Sequence, residues 1–262
     1  MGENEVIFAK DGQIGVLTIN RPDQKNALSN EVLAGLREGV ARARADRAVR
    51  VLLLRGTGDE AFCAGGDLRQ MNDATVDQFA AHDGRSQLAL LFRDMWELGK
   101  PTIARVPGYA LAGGFGLAAA CDFIIASERA VFGVPEVTVG LWPYMITLPL
   151  LHWLSPKQVL NLMLTGRRVK AAEAMAMGFV SELVQPEKLD DAIAALAERL
   201  CVAAPQSVAL GRTAFYAAVN HDLDSRIRML QAHLSVSLTM PDAREGLAAF
   251  AEKRKPQWGD SS

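Results

Sequence analysis

PTIARVPGYALAGGFGLAAACDFIIA, residues 101–126, reads as a strand, a turn, a loop of small residues, a helix and a second strand in quick succession. Residues 101–106 suit a strand, and Pro107-Gly108 supplies the punctuation of a turn. Residues 110–116 are too small and glycine-rich to hold a regular element by propensity, so they read as a loop. Residues 117–121 read as a helix, and the apolar run 123–126 suits a strand buried on both faces. The same cycle stands upstream: an apolar strand at 51–54, a loop carrying Gly56, Gly58, Gly65 and Gly66, then helical sequence through residue 98. Strands alternating with helices argue for an α/β fold.

Working outward, residues 6–20 read as two strands joined by a Lys10-Asp11-Gly12 turn. Ser29 is placed to cap a helix running to about residue 45, with Leu33, Leu36 and Val40 on one face. From Pro205 onward there are no β-branched runs, only helix-like sequence with breaks near Asn220 and Pro241. The expected organisation is an α/β domain over residues 1–200 and a helical subdomain over 201–262. No fixed-period repeat or low-complexity linker interrupts it.

The bulk properties exclude more than they assign. Of 262 residues half are apolar, and the net charge is −2, an ordinary globular composition. Lysine and arginine are scattered, so no basic patch argues for nucleic acid. The longest apolar stretches, 109–121 and 139–151, fall short of a membrane span and are broken by glycine or proline. The polar, acidic N-terminus lacks the features of a signal peptide. Cys63, Cys121 and Cys201 lie far apart with no CxxC pair, which suits a reducing compartment and gives neither a disulfide framework nor a zinc site. A cytoplasmic address is expected.

Two glycine-rich loops carry the chemistry, AFCAGGD at 61–67 and GYALAGGFG at 108–116. Each follows a strand and precedes helical sequence. Glycine there lets the main chain approach a ligand and present free N–H groups, and two such loops side by side make a two-donor oxyanion hole. Losing one donor of such a pair costs roughly 3–4 kcal/mol of barrier. Equally, glycines at these points serve tight turns and close packing.

With FGVPEVTVGLWP at 132–143, these loops resemble the enoyl-CoA hydratase/isomerase (crotonase) superfamily. NRPDQKNAL at 20–28, LTGRRVKAAEAMAMGFVSELV at 164–184 and the terminal AFAEKRKPQW resemble it too, so the likeness covers nearly the whole chain in order. The resemblance implies a crotonase-like spiral of ββα units followed by helices that build a homo-trimer, often a dimer of trimers. It implies an acyl-CoA substrate, with coenzyme A arriving as part of that substrate, and no metal or redox cofactor. It assigns the oxyanion donors to the N–H groups of Gly66 and Gly113 and the acid–base role to Glu136. Substrate or CoA contacts are implied at Lys25, Ala64, Asp67, Leu68, Tyr144, Phe250 and Lys253, the last two reaching from a neighbouring subunit.

Two departures matter. Hydratases of the family commonly carry a second glutamate three residues past the second oxyanion glycine, where this chain has Gly116. One carboxylate suffices to move a proton between carbons, whereas hydration normally shares water activation and protonation between two. The bulky Tyr144-Met145 pair also follows Pro143, where small glycines are usual in the family. Hydration ranks first on the family's habits, and the missing glutamate tilts toward isomerisation.

Three rivals remain. Residues 114–119, GFGLAA, fit the GxGxxA pattern of a dinucleotide site, although the glycines stand well past the strand end. Another enolate reaction on the same scaffold (hydrolase, decarboxylase, dehalogenase) shares the hole. A catalytically silent acyl-CoA binder also fits one missing carboxylate. No GxSxG elbow suggests a serine hydrolase. Cys63 sits beside the hole but suits a small buried residue better than a nucleophile. Asp67 and Asp122 read first as structural, and the four histidines fall in no motif.

Overall fold

The computed structural model describes residues 4–67, 78–219 and 222–259, with side chains from 86 onward in the helix that begins at Gln78. Among the described residues ten strands form two sheets. The larger holds β1 (Val6–Asp11), β2 (Ile14–Ile19), β3 (Val51–Gly56), β5 (Thr102–Val106), β7 (Phe123–Ser127) and β10 (Glu182–Val184), in the order β1-β2-β3-β5-β7-β10. The smaller holds β4 (Ala61–Cys63), β6 (Tyr109–Leu111), β8 (Val131–Gly133) and β9 (Arg168–Lys170), in that order. Among the described residues the β1–β2 hairpin and the β8–β9 pair run antiparallel and the other pairings are parallel.

The chain alternates between the sheets. β3, β5 and β7 each enter the large sheet, and after a few residues β4, β6 and β8 enter the small one. Each turn of this spiral is a ββα unit, as the resemblance implied. The central strand β5 is buried at all five positions, which explains why its sequence does not alternate.

The helices are α1 (Asn30–Ala45), α2 (Gln78–Trp96), α3 (Gly113–Ala119), α4 (Thr147–Trp153), α5 (Pro156–Thr165), α6 (Ala171–Met177), α7 (Leu189–Cys201), α8 (Pro205–Val219), α9 (Leu223–Ser237) and α10 (Pro241–Ala251). Ser29 caps α1, its hydroxyl oxygen accepting the Val32 N–H at 3.1 Å. Leu33, Leu36 and Val40 face the core from that helix as their spacing dictates. Inside the spiral, Phe115, Phe132 and Phe179 pack with ring centres about 5 Å apart, tying α3, β8 and the segment after α6 into one core.

Two expectations need correction. The stretches read as loops at 61–67 and 110–116 begin with the short strands β4 and β6, and α3 starts at Gly113 rather than at 117. Three-residue strands rich in small residues carry too little periodicity to be seen. No single described helix is long and apolar enough to cross a membrane.

Candidate active site

The parallel strands of the small sheet end side by side, β4 at Cys63, β6 at Leu111 and β8 at Gly133. Just beyond each end stands one of the residues singled out above: Gly66, Gly113 and Glu136. In α/β sheets ligands settle at the carboxyl ends of parallel strands. Hydrogen bonds tie the first loop to Leu28 and the second strand end to the third. The Leu28 N–H donates to the Gly65 carbonyl at 2.8 Å, the Asp67 N–H to the Leu28 carbonyl at 2.9 Å, and the Ala112 N–H to the Gly133 carbonyl at 2.9 Å.

The two glycine nitrogens share one small space. The Gly66 nitrogen lies 3.8 Å from the point a Cβ on Gly113 would occupy. Among the described residues neither the Gly66 nor the Gly113 N–H donates to a backbone carbonyl, which leaves both for a ligand oxygen. The neighbouring glycines serve packing. A Cβ on Gly114 would stand 2.2 Å from the Cys63 carbonyl oxygen, and Gly65 has a φ of +106°. Between them Ala112 is held at φ 49°, ψ −126°, a conformation that costs an alanine about 1–3 kcal/mol. The peptide carrying the Gly113 N–H is thereby set at an angle that ordinary helix entry would not give.

Glu136 sits in the 3-10 turn Pro135–Val139, with Pro135 starting the turn. Its side chain is partly buried, and one carboxylate oxygen is fully enclosed with no hydrogen-bond partner among the described residues. Burial pushes its carboxyl above the usual carboxylate range, and its own backbone N–H offsets part of the rise. A carboxyl raised by desolvation at a strand-end cleft is the state expected of a general acid–base. At Gly116 there is no room for a second one. A Cβ there would lie 2.4 Å from Ile146 Cγ2 and 2.7 Å from Ile146 Cβ, and Ile146 is itself buried.

The remaining candidates divide. Lys25 joins the first loop through its carbonyl, which accepts the Ala64 N–H at 3.0 Å, while its ammonium pairs with Glu60 at 2.6 Å. Asp67 is held by Arg21 at 3.0 Å. Leu68 lies outside the described residues. Tyr144 is 70% exposed and Phe250 84% exposed, so each ring packs against little in a single chain. Lys253, also exposed, follows the end of α10.

Sequence reasoning missed Arg21 and Asn26. Buried Asn26 accepts the Arg21 N–H and donates to the Thr57 and Ala61 carbonyls, clamping the approach to the first loop. The Asn20-Arg21-Pro22 break was the available signal.

The dinucleotide reading fails on geometry. Gly114 abuts the Cys63 main chain and Gly116 abuts Ile146, so those glycines serve close packing and leave no room for a pyrophosphate. Cys63 is fully buried and its thiol is pushed up to about 12, which keeps it protonated. Asp122 is structural: its carboxylate accepts from the Thr102 N–H, the Arg212 guanidinium and the Tyr216 hydroxyl at 2.7–2.8 Å. His152 packs edge-on against Trp96 and Tyr216, which stack on each other. His233 contacts the Met229 carbonyl at 2.8 Å. The His82 side chain and His221 lie outside the described residues. Among the described residues no group of three or more His, Cys, Asp or Glu converges to hold a metal ion.

Comparison with known sequences decides the lineage. The pattern of the family described as Enoyl-CoA hydratase/isomerase matches residues 9–261. The chain belongs to the enoyl-CoA hydratase/isomerase family. It is 34% identical over 259 residues to a crotonyl-CoA hydratase of Syntrophomonas wolfei, covering 97% of this chain and 98% of that one. It is 36% identical over 254 residues to the (E)-benzylidenesuccinyl-CoA hydratase of Thauera aromatica, covering 96% and 97%. Among solved structures, an enoyl-CoA hydratase of Mycobacterium smegmatis superposes with a TM-score of 0.92 at 33% identity, covering 98% of this chain and 99% of that one. The ββα spiral is the fold of this hydratase/isomerase family.

Proposed function

We propose that the protein acts on an enoyl-CoA thioester, holding the thioester oxygen on the N–H groups of Gly66 and Gly113 and using Glu136 as its single acid–base. The observation that carries this reading is the enclosed, unpartnered Glu136 oxygen beyond the third of three adjacent strand ends. In hydration the Glu136 carboxylate takes a proton from water as the oxygen adds to C3. The electron pair moves onto the thioester oxygen as an enolate, which the two fixed donors meet without reorganisation. The proton then passes from Glu136 to C2, and the carboxylate is restored. Coenzyme A enters as part of the substrate, and the reaction needs no further cofactor.

A specific observation favours a second reading. Ile146 fills the space beside Gly116, so that side of the site is apolar and carries no carboxylate of its own at that position. Double-bond migration needs only one: Glu136 removes a C2 proton from a 3-enoyl-CoA, the dienolate forms on the same donors, and the proton returns at C4. The family's named relatives favour hydration, and the apolar Ile146 favours migration.

Exposed Phe250 and Lys253 suit contacts to the CoA of a neighbouring subunit. The exposed Leu223, Ile227, Leu230 and Leu234 of α9 suit burial in a homo-trimer. The test is turnover of crotonyl-CoA and of a 3-enoyl-CoA by the purified protein, with both products followed. Hydration of the first supports the main reading, and conversion of the second alone replaces it with isomerisation. Acyl-CoA bound but never turned over on either would sink both.

A further inference from the structure

At the opposite end of the large sheet, where β3 and β5 begin, a second cavity of about 270 Å³ opens between the end of α1, the end of α7 and the start of α8. Four cationic side chains line it, Arg44, Arg47, Arg50 and Lys100, and no carboxylate does. Of the acids nearby, Asp46 pairs with Lys10 at 3.0 Å and Asp94 with Arg37 at 2.7 Å, the Asp242 carboxylate accepts the Gln206 N–H at 2.8 Å, and Glu97 is exposed beside Leu98 without lining the cavity. The cations themselves meet only neutral acceptors. Arg44 donates to the Asp94 carbonyl, Arg50 to the Ala203 carbonyl, and Lys100 to the Ala43 and Asp46 carbonyls that end α1. Among the described residues Arg47 has no hydrogen-bond or ion-pair partner. The positive charge is therefore gathered and oriented, with Asp46 offsetting only part of that on Lys100. Burial holds the Lys100 ammonium below its usual value, with Arg50 adding to the effect and Asp46 opposing it.

The rest of the lining is apolar: Val49, Leu98, Leu200 and Val208. Gln206 also lines the cavity, and its amide oxygen is buried with no partner. Because the two ends of such an amide are interchangeable in outline, a flip would offer an N–H2 donor at that point. Guanidinium forks match a planar carboxylate, and the apolar walls match a short hydrocarbon or aromatic body.

We propose that this cavity binds a small amphipathic carboxylate, its head on Arg44, Arg47 and Arg50 and its apolar body against Leu98 and Val208. The site is separate from the Glu136 cleft, since it lies at the starts of the strands whose spiral partners carry that cleft at their ends. It does not depend on the reaction proposed above.

Isothermal titration of the full-length protein with sodium hexanoate tests it, with 1-hexanol and inorganic phosphate as comparison probes. The expected result is saturable hexanoate binding that neither comparison probe matches, unchanged by saturating crotonyl-CoA. The Arg44→Gln/Arg47→Gln pair, both on exposed residues, should weaken it about tenfold or more. Val208→Trp should abolish it by filling the cavity, and the arginine pair covers the case in which that variant fails to fold. Turnover should be unchanged in the arginine variant. Absence of binding, equal binding of 1-hexanol or phosphate, displacement by crotonyl-CoA, or indifference to the arginine substitutions would each overturn the proposal.

Discussion

The two sides of the candidate active site are built on different principles. The Gly66–Gly113 side is made of main chain, with every neighbour fixed: Gly114 against Cys63, Gly65 against Ala112, Leu28 bridged to Gly66. The Glu136 side is one side chain on a short 3-10 turn, followed by exposed Val137, Val139, Leu141 and Tyr144. Backbone donors tolerate drift in side-chain identity but no change in backbone path. A lone carboxylate tolerates movement around it but no change of atom. Substitutions on the two sides should therefore fail in different ways.

The largest effect belongs to Glu136→Gln. Turnover should fall by about 10²–10⁴-fold while binding of the CoA thioester persists, because only proton transfer is lost. A thioester binding measurement beside the rate separates the two, and an active variant would remove Glu136 from the mechanism. In the parent enzyme the acid limb of the kcat/KM profile should lie above pH 4.5, because burial raises the carboxyl above that value and the base must be ionised to act. The raised folded value also means that ionising Glu136 opposes folding as pH rises through and above 4.5. The Gln variant should thus melt no lower than the parent at neutral pH.

Next comes the contrast between two adjacent glycines. Gly114→Ala drives a methyl into the Cys63 carbonyl and should cost about 1–3 kcal/mol or more of stability, read by urea midpoint. Gly113→Ala meets one tight neighbour, Leu28 Cδ1 at 3.1 Å, with Leu88 Cδ2 at 3.5 Å and the Gly66 nitrogen at 3.8 Å in ordinary contact. It should keep most of the stability and lose rate about tenfold as the donor shifts. If the two variants lost stability equally, the division between packing and chemistry within this loop would be wrong.

A smaller effect tests the strain. Ala112→Gly removes a Cβ at φ 49° and should change stability by less than about 1 kcal/mol, in the favourable direction, while lowering kcat through a less fixed Gly113 N–H. The smallest concerns His152, whose burial lowers its pKa below 6.5. The fold then prefers the neutral ring, so its contribution is complete above pH 6.5 and is lost as pH falls below that value. His152→Phe keeps an aromatic ring against Trp96 and Tyr216. Its denaturation midpoint should fall less between pH 7.5 and 5.5 than the parent's.

Legibility followed the same division between chain and side chain. The hairpin at 6–20, the Ser29 cap and the buried runs at β3, β5 and β7 could be read because periodicity and capping act locally. β4 and β6 could not, since three small residues gain strand form only from their neighbours in the second sheet. The start of α3 was misplaced for a related reason. Its N-cap is Ala112, which offers no side-chain oxygen and reaches its angle only because Gly133 holds its N–H.

The packing of Ile146 against Gly116 also bears on the routes by which this sequence can change. Glutamate at 116 meets a methyl group where its own Cβ must go, and a smaller residue at 146 on its own leaves a hole in the core. Each single step is penalised, and only the pair together makes space for a second carboxylate. Room for a carboxylate at 116 is therefore expected to need both changes at once: Gly116→Glu alone should destabilise the fold more than Gly116→Glu joined to Ile146→Ala.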